Sequence, residues 1–109
     1  MDINTVTLSG RIYDIGICPT KGEYPVAEAK LSVNIGMSKD NGPMYDEFNI
    51  RSYGKKSMFI STLKNGTFVT ISGKLKEDIR VNADNPDTTR SKTYINITEI
   101  KTIGIEEGE

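Results

Sequence analysis

A chain of 109 residues, 36% hydrophobic and 27% charged, holds one globular core and excludes both a two-domain layout and a disordered segment. No apolar run approaches the roughly 18 residues of a membrane span, and Met1–Leu8 lacks the basic and apolar regions of a leader, so a soluble cytoplasmic protein is expected. One cysteine, Cys18, and no histidine exclude an intramolecular disulfide and a zinc site and remove the commonest general base, and Cys18 is expected as a small half-buried apolar residue.

Val6, Leu8, Gly10 and Ile12 alternate with Thr7, Ser9 and Arg11, the period of a strand with one buried face. Pro19, Lys21-Gly22 and Pro25 then break regular pairing. Ala27, Ala29, Leu31, Val33 and Ile35 alternate with Glu28, Lys30, Ser32 and Asn34 as a second strand, and 38–43 reads as a polar loop. A third strand over Tyr45–Tyr53 sets Phe48 and Ile50 on one face, with Glu47, Asn49, Arg51 and Tyr53 on the other. From Lys55 to Leu63 the spacing of Met58, Phe59 and Leu63 becomes helical, and Asn65-Gly66 stops it. Val69, Ile71, Gly73 and Leu75 mark a fourth strand. The polar stretch 82–92 predicts a loop, and Thr93–Ile103 a last strand with a bulge near Glu99.

Five strands with one short helix between the third and fourth predict an all-β OB-fold, a partly open Greek-key barrel, better than an SH3-like barrel. Residues 1–104 would form this domain and 105–109 a short acidic tail. The net charge of −1 is neutral evidence about partners: Glu106, Glu107 and Glu109 crowd the end, and without them 14 basic residues face 12 acidic ones.

The stretch Asn4-Thr5-Val6-Thr7-Leu8-Ser9-Gly10-Arg11-Ile12, then Val26-Ala27 with Leu31-Ser32-Val33, Tyr53-Gly54-Lys55, Leu63-Lys64-Asn65-Gly66 and Val69-x-Ile71-x-Gly73-x-Leu75 occur in order. Together they resemble the bacterial and phage single-stranded DNA-binding proteins over roughly residues 4–103. The resemblance implies a non-catalytic protein without cofactors. Such a protein binds and protects single-stranded DNA with little sequence preference during replication, recombination and repair. It also implies a homodimer or homotetramer, with replication or recombination proteins as partners, and the Thr and Ser face of strand one offers a pairing edge. The short tail and reduced aromatics lean towards a phage or mobile element.

That family stacks bases on aromatic side chains, several of them tryptophans, and this chain has none. Of the positions concerned, Tyr53 stays aromatic, whereas the others fall on Glu47, near Met37 and near Arg80, so weaker binding is expected. Tyr53 beside Arg51 suits base stacking with phosphate contact, and Tyr45 can stack from the rim. Arg11 is a phosphate contact by resemblance. Lys74 and Lys76, extended by Lys30 or Lys39, would form a positive track, and Arg80, Arg90 and Lys92 flank the last loop. Tyr94 is expected in the core or a subunit interface. Glu47 would repel phosphate unless it pairs with Arg51 on the same face. The rival functions are a replisome adaptor that binds DNA weakly and a metal-dependent nuclease using Glu47, Arg51 and Arg80, for which no second carboxylate is in place.

Overall fold

The computed structural model describes residues 1–81 and 89–103, with side chains at all of these except 80, 81 and 89–91. The element order is β1 (Val6–Cys18), β2 (Val26–Ser38), β3 (Gly42–Ser52), α1 (Lys55–Ser61), β4 (Thr67–Val81) and β5 (Thr89–Thr102). The strands close into one barrel in the order β1-β2-β3-β5-β4. The predicted succession of five strands and one helix is borne out. The acidic tail expected at 105–109 lies outside the described residues.

Strand β1 closes the barrel because it belongs to both sides. Its first half pairs antiparallel with β4, from Val6↔Gly73 to Ile12↔Thr67. Its second half pairs with β2, from Arg11↔Ser32 to Cys18↔Val26. Gly10 stands at this crossover, where a Cβ would lie 2.3 Å from the Ser32 carbonyl oxygen, so only a residue without a side chain allows the approach. Gly73 plays the same part on β4, where a Cβ would lie 2.2 Å from the Asn96 carbonyl oxygen. Beside it the β4–β5 register shifts between Ser72 and Gly73, so Thr98 is the extra residue of the bulge expected near Glu99.

The inward positions follow the period-two reading. Ile12, Ala27, Ala29, Leu31, Ile50, Val69, Ile71, Ile95 and Ile97 form the buried core, and Ile60 of α1 joins it from below. Each fully buried Ile or Leu contributes on the order of 1.5–3 kcal/mol. The helix is held to the end of β3 by two fully buried serines: the Ser57 hydroxyl donates to the Ser52 carbonyl at 2.9 Å, and the two hydroxyls are 3.0 Å apart.

Three expectations change. Strand β1 does not stop near Ile12 but passes a register shift between Tyr13 and Gly16, where Asp14 has a φ of 56°, and reaches Cys18. The cysteine there is exposed rather than half-buried, because the strand has left the barrel wall. Strands β4 and β5 pair well beyond Leu75, out to Val81↔Thr89, so residues 89–92 of the predicted loop belong to β5, and its remainder lies outside the described residues.

Candidate nucleic-acid interface

Strands β3 and β5 run parallel and share only two registered pairs, Ile50↔Ile95 and Arg51↔Asn96. Across that seam the outer face brings β2, β3, β5 and β4 side by side. Lys30 stands opposite Asn49, Glu28 opposite Arg51, Lys74 opposite Asn96, and Lys76 opposite Tyr94. The sheet therefore gathers Arg51, Tyr53, Lys74 and Lys76 on one surface, with Lys30 and Lys92 at its margin.

Arg51 organises the centre. Its guanidinium carbon lies 4.1 Å from the centroid of the Tyr94 ring. One amino group donates to the Tyr53 hydroxyl at 3.4 Å. Its Nε is 2.9 Å from Glu28 Oε2 and another amino group 3.8 Å from Asp78 Oδ2. The Nε–H does not point squarely at Glu28, so this contact is an ion pair without a directed hydrogen bond. Burial works against the arginine's charge, but the Tyr53 hydrogen bond, Glu28 and the two phenols outweigh it and leave the pKa raised. Tyr94 also has a raised pKa, first because it hydrogen-bonds Tyr53 and then because it is partly withdrawn from water.

The Glu47–Arg51 pair that would have accounted for Glu47 does not form: Arg51 pairs with Glu28 and Asp78. Four residues along a strand span about 13 Å, whereas Glu28 is the direct cross-strand neighbour about 5 Å away. Tyr94 is likewise not a core residue: it is half-buried on the outer face, stacked by Arg51. Sequence reading missed this because only the parallel seam brings residues 51 and 94 together.

Three hollows lie among the described residues around this face and beside β1. One of about 120 Å³ is lined by Glu28, Lys30, Asn49, Arg51, Lys92 and Tyr94. Another of about 340 Å³ opens between β3 and β5 and is lined by Phe48, Leu75, Ile95, Glu47, Asn49 and Tyr94. Tyr94 forms the ridge between them. The third, about 710 Å³, lies where β1 parts from β2, and holds Arg11, Tyr13, Asn34 and Tyr45.

The predicted residues thus divide. Arg11 and Tyr45 share this third groove, and Arg11 is already engaged, donating to the Gly66 carbonyl at 2.9 Å with Phe68 5.5 Å away. Met37 and Lys39 sit exposed at the β2–β3 hairpin end, away from the Arg51 cluster. Arg80 and Arg90 are paired backbone positions of β4 and β5, and their side chains lie outside the described residues.

A closed barrel of five strands in this order, with one short helix between the third and fourth, is an OB-fold. The solved structures agree. The small single-stranded DNA-binding protein from Streptomyces coelicolor superposes with a TM-score of 0.68 at 15% identity, covering 94% of this chain and 96% of that one. The Plasmodium falciparum SSB in complex with ssDNA superposes with a TM-score of 0.77 at 18% identity, covering 95% and 97%. No family model and no curated protein matches the sequence.

Proposed function

We propose that this protein binds single-stranded DNA passively and without catalysis, keeping the strand unpaired during replication, recombination or repair. The observation that carries this reading is the pair of phenols, Tyr53 and Tyr94, fixed around Arg51 on an OB-fold face with Lys30, Lys74, Lys76 and Lys92 nearby. Flat rings offer stacking to any base, and cations bind the backbone with release of counterions. The superposition on an SSB that carries ssDNA supports the same reading.

In this proposal Tyr53 and Tyr94 stack bases, and Lys74 and Lys76 meet phosphates. Arg51 acts mainly by holding the two rings, since its guanidinium is already engaged by Glu28 and Asp78. Arg11, Tyr45, Met37 and Lys39 would contact a longer strand that continues past the β2–β3 hairpin. Arg80 belongs to the same proposal by its place at the end of β4. We further propose a homo-oligomer in a cytoplasm, that of a bacterial host if the chain is phage-encoded. The edge of β1 over Val6–Ser9 that faces β2 has no registered strand partner among the described residues, which leaves room for a second copy to add there.

The alternative, a replisome adaptor with weak DNA binding, is favoured by Met58 and Phe59, which are 50% and 40% exposed on α1. Titration of fluorescent single- and double-stranded oligonucleotides at two salt concentrations decides between them. Single-strand binding that falls steeply with salt, with little duplex binding, supports the DNA reading. No binding at low salt leaves the adaptor.

A further inference from the structure

Glu47 poses a problem that the binding face as described does not solve. Its carboxylate is exposed beside the path of a polyanion, and it enters no ion pair among the described residues. Its position gives it a use. It lines the 340 Å³ cleft between β3 and β5 together with the apolar Phe48, Leu75 and Ile95, the Tyr94 ring, and the polar Asn49 and Thr93. Leu75 is 47% exposed although it continues the inward row of β4, so the cleft has an open apolar seat. Its strand is fixed by Asn4, whose amide exchanges two 2.9 Å hydrogen bonds with the Leu75 backbone. Asn49, between Glu47 and Arg51 on the same face of β3, has its amide turned to the Thr93 carbonyl at 3.5 Å.

Apolar side chains, two aromatic rings and one carboxylate in the lining match a single nucleobase, flat and apolar on its faces and polar at its rim. An ionised carboxylate only accepts hydrogen bonds. Cytosine and adenine present an exocyclic amino group to such an acceptor, whereas thymine presents carbonyl oxygens that flank its one imino donor. Building on the single-strand reading above, we propose that the β3–β5 cleft seats one base of the bound strand and that Glu47 selects bases with an amino group, cytosine over thymine. The acid disfavours phosphate in general and recovers affinity only when an amino base is docked, so selectivity arises from both effects.

The test compares oligo-dC, oligo-dT and oligo-dC built from N4,N4-dimethylcytosine, at one salt concentration, on the wild type and on Glu47→Gln. The wild type is expected to favour oligo-dC over oligo-dT by roughly tenfold, the scale of one charge-assisted hydrogen bond. The dimethylated oligomer should bind like oligo-dT. Glu47→Gln removes the charge and adds a donor, so both unmodified oligomers should bind at least as tightly while the preference collapses. Equal wild-type affinity for oligo-dC and oligo-dT overturns the proposal and leaves single-strand binding standing, as does a preference that survives in Glu47→Gln. Absence of binding to any oligomer at low salt overturns both.

Discussion

The Arg51 guanidinium stands 4.1 Å from the centre of the Tyr94 ring, covering one face of it and leaving the ring as a ridge between two hollows. A cation over the back of a ring fixes its angle at a gain of about 0.5–2 kcal/mol. It also leaves the opposite face for a base.

If Arg51 supports the rings, its shape matters as much as its charge. Arg51→Lys keeps the charge but loses the planar fork that reaches Tyr94, Tyr53 and two carboxylates together. Single-strand affinity is expected to fall by roughly tenfold, the scale of one lost cation–π and hydrogen-bond set. Fluorescence anisotropy measures this, and a Lys variant that binds like the wild type would reduce Arg51 to a simple phosphate contact.

Tyr53→Ala removes one ring that the proposal stacks on bases and the hydroxyl to which Arg51 donates. Oligo-dT binding should weaken by roughly 1–3 kcal/mol. The ring is 44% exposed, so the melting temperature should change little. An unaltered affinity would remove Tyr53 from the site.

Alkaline titration isolates Tyr94. Its pKa is raised from the ordinary 10.0, chiefly by the hydrogen bond with Tyr53. A raised folded-state value means the stabilisation is whole below pH 10 and is lost as pH climbs through the folded value. Ultraviolet titration should show a tyrosine ionising above the ordinary 10.0, and Tyr94→Phe should abolish that late phase and flatten the alkaline loss of stability.

Gly10→Ala places a methyl group 2.3 Å from a backbone oxygen of β2, which no rotamer can relieve. The expected cost is roughly 1–3 kcal/mol or more, read as a lower denaturation midpoint. Wild-type stability in this variant would show that β1 and β2 can part at the crossover.

What the sequence revealed and what it hid have one physical cause. Strands with one buried face announce themselves by alternation, as Val69, Ile71, Gly73 and Leu75 do, and the helix shows as a change of period at Lys55. Past Leu75, Lys76, Glu77 and Ile79 of β4 and Lys92 and Thr93 of β5 are all exposed, so no buried apolar row marks the strands while the pairing continues. The aromatic Tyr53 was legible because neighbours along one strand share a face. The partnership of Arg51 with Tyr94 and Glu28 was not, because it depends on the register of three strands, which local pattern does not carry.

The two-pair parallel seam between β3 and β5 is the shortest join in the barrel wall, and the stacking ridge sits directly on it. A nucleotide docked there would touch both banks of the seam and act as a clasp. Occupancy and folding then share one equilibrium: a strand that prefers the closed wall raises the unfolding free energy by its own binding term, and a loosened wall lowers the apparent affinity by the fraction of molecules that remain closed.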